Sequence, residues 1–227
     1  MIENRKFVRA PLQLAVSYRT AGSFLVAYTV NLSKGGIFIE AEPLPLGTRV
    51  HLVFDVPGAG PIDIEGEVAW VRPANNEGLP VGMGLRFDRL LDEHHGAVID
   101  QIVRDFEGLE ILLVGSADRR SQIGRFVHTI VDCDTVEADS VKIATTVLRD
   151  QIDLVLADLD TAGRDGIDIV KLARGAPNPT PVIVLGGNAE TERWARSLGV
   201  THFLSTPPTF GALQRAVLAT LATPSSR

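Results

Sequence analysis

Between residues 10 and 88 the hydrophobic positions come in short runs that alternate with polar ones. The runs are LQLAVSYR ending at Arg19, FLVAYTV from Phe24, GIFIEAE from Gly36, TRVHLVFDV from Thr48, PIDIEGEVAWV from Pro61 and VGMGLRF from Val81. Turn residues separate them, among them Ala21-Gly22, Ser33-Lys34-Gly35, PGAG at 57–60 and RPANNEGLP at 72–80. A period of two bounded by such turns predicts antiparallel strands, and six strands at this spacing predict a small barrel or sandwich. The period then changes. In residues 89–106 (RLLDEHHGAVIDQIVRDF), Leu91, Val98, Ile99, Ile102 and Phe106 recur at helical spacing, so a helix closes this region and Gly108 ends it.

From residue 109 the pattern becomes strand, helix, strand, helix. LEILLV (109–114), DLVLAD (153–158) and TPVIVL (180–185) are nearly continuous apolar runs, as strands covered on both faces require. Amphipathic stretches such as SVKIATTVLRD (140–150) and GIDIVKLAR (166–174) lie between them, and FGALQRAVLATLA ends the region before a frayed TPSSR tail. The alternation predicts an open parallel sheet with helices on both sides. Two domains follow, residues 1–107 and 108–227, in agreement with a length of 227 residues.

Composition narrows the function classes. Hydrophobic residues at 45% and charged residues at 22% describe a globular chain with a packed core. No run approaches the roughly 18 apolar residues of a membrane span, and MIENRKFVRA lacks the apolar core of a secretory signal. With one cysteine, Cys133, expected as a small buried core residue, the chain suits a reducing cytoplasm. The net charge is −6, with −4 before residue 108 and −2 after it, so neither half has the excess of cations that binding a nucleic acid polymer requires. Locally the balance reverses: Arg5, Lys6 and Arg9 place three cations within five positions.

That cationic arm is an RxxxR (Arg5-Lys6-Phe7-Val8-Arg9), and the turn between the second and third predicted strands reads NxSxxG (Asn31-Leu32-Ser33-Lys34-Gly35-Gly36). Guanidinium presents a rigid fork of donors that bonds a phosphate or the O6/N7 edge of guanine, and its flat face stacks on a base. Asn31 and Ser33 offer an amide and a hydroxyl to a base edge or to the turn itself. Gly35 and Gly36 allow close backbone approach or positive φ. Taken in this order, with the GEVAW strand at 66–70 and VGMGLRF at 81–87, these motifs closely resemble the PilZ domain, over residues 4 to about 106.

The resemblance implies a six-stranded antiparallel barrel with a C-terminal helix that binds the bacterial second messenger cyclic di-GMP. The implied ligand-binding residues are Arg5, Lys6, Arg9, Asn31, Ser33, Gly35 and Gly36. Many members carry Asp where Asn31 stands, which costs this chain a charge facing guanine's N1 and N2 donors. Asn4 replaces a further arginine, which implies one cyclic di-GMP per site.

Residues 109–222 resemble the response-regulator receiver, most specifically in DLVLADLDTAGRDGIDIVKLAR (153–174). The resemblance implies a doubly wound five-stranded parallel sheet, with Asp158 as the position of a phospho-acceptor and Asp165-Gly166 matching the DG that follows it. The family's acidic pair, which holds Mg²⁺, falls on Gly115 and Ser116. Its fourth-strand Thr or Ser falls on Gly186, and its lysine falls on Thr206 before Pro207. Phosphoryl transfer needs a divalent cation and a fixed positive charge, and both are missing from the matched positions. Asp118 and Asp160 are the remaining carboxylates near the site, with Asp118 expected to begin a helix.

No catalytic motif appears: no GxxxxGK[ST], GxSxG or HExxH, and His94-His95 point about 100° apart on a helix and so cannot share one ion without other ligands. No metal site and no catalytic residue are expected. The overall expectation is a cytoplasmic cyclic di-GMP receptor regulating motility or biofilm behaviour. It would signal through a protein partner, with the receiver-like half supplying a contact face over Glu190 to Ala222, including Trp194, or pairing two copies as a homodimer. The alternatives are a regulator phosphorylated at Asp158 and a ligand-free scaffold.

Overall fold

The computed structural model describes residues 13–20, 24–56, 58–74, 78–106, 108–149 and 151–221. The chain divides into two compact units, residues 1–107 with 130–132 and residues 108–129 with 133–227. The first is all-β up to its final helix, with strands β1 (Ala15–Arg19), β2 (Phe24–Ser33), β3 (Gly36–Glu40), β4 (Arg49–Val56), β5 (Gly60–Arg72), β6 (Gly82–Phe87) and helix α1 (Glu93–Asp105). The strands close into a barrel in the order β1-β2-β3-β6-β5-β4, which resolves the choice between barrel and sandwich. Alternation does the work: in β4 and β5 every second residue is buried, and Val16, Leu32, Ile37, Ile39, Leu52, Ile64, Val68, Met83 and Leu85 fill the interior. Leu91 and Ile99 join that core, with Val98 and Ile102 packed against it. The apolar stripe read from the sequence is therefore the face by which α1 seats on the barrel.

Asp92 starts that helix. Its carboxylate accepts the His95 backbone N–H at 2.9 Å and meets His95 Nδ1 at 2.7 Å, and the backbone bond holds its pKa below the ordinary carboxylate range.

The second unit contains β7 (Leu109–Val114), α2 (Ala117–Ile130), β8 (Cys133–Ala138), α3 (Val141–Val147), β9 (Leu154–Asp158), α4 (Leu159–Gly175), β10 (Val182–Leu185), α5 (Ala189–Ser197), β11 (His202–Leu204) and α6 (Phe210–Leu221). All strand pairings are parallel, in the order β11-β10-β9-β7-β8. This is a doubly wound parallel sheet, a fold in which crevices open at the carboxyl ends of the strands. The three central strands are fully buried apart from Glu110, as their apolar runs predict. The edge strands β8 and β11 carry no such run because they are only partly covered. Cys133 starts β8 and is partly exposed, not buried as expected: an edge strand leaves one side open. Among the described residues no helix is long and apolar enough to cross a membrane.

Candidate functional site

Arg5, Lys6 and Arg9, with Asn4, lie outside the described residues. The second motif lies in the barrel, on the tight connection from β2 to β3. Asn31 and Ser33 are each 7% exposed. The Ser33 hydroxyl donates to the Gly36 carbonyl at 3.2 Å, so it orders the turn. The turn is braced from two further sides: the Gly35 carbonyl accepts from Phe87 N at 3.0 Å at the end of β6, and the Lys34 carbonyl accepts from Leu91 N at 3.2 Å ahead of α1. The Lys34 ammonium reaches Asp100 on α1 at 2.5 Å, which commits this cation to the helix.

The glycines act differently from one of the expectations. Neither Gly35 nor Gly36 has positive φ. At Gly36 a Cβ would fall 2.4 Å from the Leu85 carbonyl oxygen, so a side chain is excluded by the neighbouring strand β6.

Strand register then shows what shares the outer face with this turn. Asn31 pairs with Phe38, Phe38 with Gly84, and Gly84 with Trp70, making one row across β2, β3, β6 and β5. On that row the Phe38 and Trp70 rings stack with centroids 4.8 Å apart and planes 11° from parallel. The Arg72 guanidinium carbon lies 4.7 Å from the Phe38 centroid and 5.5 Å from that of Trp70. The stack exists because β6 offers no side chain beneath it. A Cβ at Gly84 would come 1.9 Å from Trp70 Nε1, and one at Gly82 would come 2.7 Å from Phe38 Cζ.

Phe38 is thus 2% exposed although it points out of the barrel, covered by a half-buried tryptophan and an arginine. Sequence reasoning noted Trp70 only as part of a matching strand and passed over Phe38 and Arg72. The signal that could have found them is glycine at alternate positions, 82 and 84, on a strand opposite aromatics.

Residues 3–105 match the family model described as PilZ domain. This stretch is a PilZ domain. Its barrel, the NxSxxG turn and the stacked aromatic patch are therefore features of one PilZ face. Among solved structures, the chain is similar to the Bacillus subtilis inhibitor of motility (MotI/DgrA), at 19% identity over 45% of this chain and 51% of that one, with a TM-score of 0.39. The chain thus spans about half the length of that protein. It is also similar to a putative response regulator from Chloroflexus aurantiacus, at 20% identity over 51% of this chain and 99% of that one, with a TM-score of 0.46. A further similarity is to a signal receiver domain from Clostridium thermocellum, at 20% identity over 51% of this chain and 98% of that one, TM-score 0.45.

In the receiver-like unit, Asp158 ends β9 and is fully buried. Its Oδ1 accepts from the backbone N–H groups of Asp160 at 3.1 Å and Thr161 at 3.2 Å, capping α4. Its Oδ2 forms an ion pair with Arg119 Nε at 2.7 Å. Burial pushes the Asp158 carboxyl above the usual range, an effect that the Arg119 charge and the two backbone donors offset in part. Asp160 turns away, accepting from Gly187 N at 3.1 Å and from the Thr206 hydroxyl. Asp118 lies in the first turn of α2, as expected.

The donor set does not suit the divalent cation that receivers use. The positions of the acidic pair are Gly115 and Ser116, and the one carboxylate at the end of β9 already holds a guanidinium. Among the described residues no group of three or more His, Cys, Asp and Glu side chains could hold a metal. Trp194, expected on a contact face, packs against the core of its unit.

Proposed function

We propose that the chain is a cyclic di-GMP receptor whose PilZ domain binds the dinucleotide on the outer face of the barrel, with Arg5, Lys6 and Arg9 closing over Asn31, Ser33, Gly35 and Gly36. The supporting observation is the single row that carries Asn31 together with the Phe38–Trp70 stack, over which the Arg72 guanidinium reaches from the neighbouring row. A ligand with two guanines and two phosphates needs hydrogen-bonding groups for base edges, forked cations for phosphates and a flat surface for a base. This face supplies the first and the third, and the RxxxR arm supplies the second.

Ordering of the arm by ligand changes which surface is available to a protein partner, and the effect is limited to the ligand's differential affinity for the two arrangements. The receiver-like unit serves the partner contact or pairs two copies. The process regulated is motility or biofilm behaviour in the bacterial cytoplasm, and the reading is non-catalytic.

The test is isothermal titration of the whole chain with cyclic di-GMP beside Arg9→Ala and Arg5→Ala. A hydrogen bond to a charged group contributes about 1.5–3 kcal/mol, so each variant is expected to bind about 10- to 100-fold more weakly. Wild-type protein that takes up no ligand, or variants that bind as wild type does, would refute the proposal.

A further inference from the structure

At the carboxyl ends of the strands the second unit sets its own charged groups against one another. Arg119 is a permanent cation whose Nε sits 2.7 Å from Asp158 Oδ2, and the other Asp158 oxygen is taken by the amides of Asp160 and Thr161. Both oxygens of the fully buried carboxylate are therefore engaged.

Restoring an acidic ligand beside it is obstructed. Gly115 has φ 153°, and a Cβ there would meet Thr161 Oγ1 at 3.0 Å and Asp158 Cβ at 3.2 Å. The Thr161 hydroxyl is itself occupied, accepting from Ser116 N at 3.0 Å.

Beside this ion pair, the Asp160 carboxylate bridges two loops. Gly187, whose N–H it accepts at 3.1 Å, lies between β10 and α5, and Thr206, whose hydroxyl it accepts, lies between β11 and α6. These partners are 27 and 46 residues away in the chain, so one side chain ties three strand ends together.

We propose that the charged groups at these strand ends form an internal lock. Arg119 stands on Asp158 where a divalent cation would have to sit, and Asp160 holds the β10–α5 and β11–α6 loops together. The unit keeps one arrangement of those loops with no phosphodonor and no metal. This inference is independent of cyclic di-GMP binding.

The whole chain, incubated with acetyl phosphate and MgCl₂, is expected to show no phosphoryl adduct by intact mass. The Gly187 amide is expected to exchange hydrogen at the same rate with and without those reagents. Asp160→Ala is expected to speed exchange at Gly187 about tenfold, the loss of one hydrogen bond to a charged group, while α2 stays protected. Arg119→Met keeps most of the alkyl stem and removes the cation from Asp158, and it is expected to speed exchange around α2 and the start of α4 by about tenfold, equally with and without Mg²⁺.

A phosphoryl adduct or an Mg²⁺ response in wild type, or a Gly187 amide indifferent to Asp160→Ala, would overturn the proposal. So would a folded Arg119→Met protein whose exchange around α2 and the start of α4 is that of wild type. If Arg119→Met unfolds, the wild-type and Asp160→Ala measurements still decide the matter, because Asp160 is exposed and its removal opens no core.

Discussion

The outer face of the barrel and the pocket of the parallel sheet are built from similar materials and use them in opposite ways. On the barrel, Arg72 lies flat over two stacked rings, and glycines at 82 and 84 clear the space in which those rings lie. In the pocket, Arg119 is turned inward onto a fully buried carboxylate, and Asp160 is spent on two loops. One region stacks its guanidinium on aromatic rings, while the other sets its guanidinium against a buried carboxylate. A signature residue such as Asp158 therefore says little about activity until its bonding partners are known, because a carboxylate already paired with guanidinium has little attraction left for a cation.

The largest expected effect tests the inward half of that contrast. Asp158→Ala removes the buried partner of Arg119, whose side chain is 21% exposed, and is expected to destabilise the C-terminal unit by about 3 kcal/mol in urea unfolding. A loss below about 1 kcal/mol would mean that the pair holds nothing, and the contrast between the two regions would fail.

Next comes the outward half. Trp70→Ala leaves the interior of the barrel intact and is expected to weaken cyclic di-GMP binding about tenfold, the scale of one base–aromatic contact. Gly84→Val should act in the same direction by displacing the ring from its place over β6. Unchanged titrations for both would remove the aromatic row from the ligand face.

The smallest effect compares one carboxylate from each region. The pKa of Asp92 is lowered in the fold, so its cap contributes above the ordinary carboxylate value of about 3.9 and is lost as pH falls through the folded pKa. Faster exchange of the His95 amide under acid is the expected sign. Asp158 is shifted the other way by burial, so its contribution to stability declines as pH rises from the ordinary value through the folded one. Acid unfolding that began in the C-terminal unit through Asp158 would contradict this ordering.

The six strands of the barrel and the three central strands of the sheet were legible because burial writes itself as periodicity: alternate positions when one face is covered, continuous runs when both are. The edge strands β8 and β11 escaped that reading because they are too little covered to need an apolar run. Cys133 was misjudged for the same reason. At the turn, close backbone approach at Gly36 was one of the two causes read from the sequence, but the strand that approaches was not legible, since the obstructing atom is a carbonyl of Leu85, 49 positions along the chain.

By itself, then, the amino-acid sequence determined the two-domain architecture, the RxxxR and NxSxxG motifs, and the loss of the acidic pair at Gly115 and Ser116. These depend on residue type and on spacing along one segment. Only the tertiary structure decided that Phe38 and Trp70 stack on the row of Asn31 with the Arg72 guanidinium over them, and that Arg119 pairs with Asp158 while Asp160 ties two loops. Those contacts join strands and loops distant in sequence, and strand register and side-chain direction place them, which no local pattern encodes.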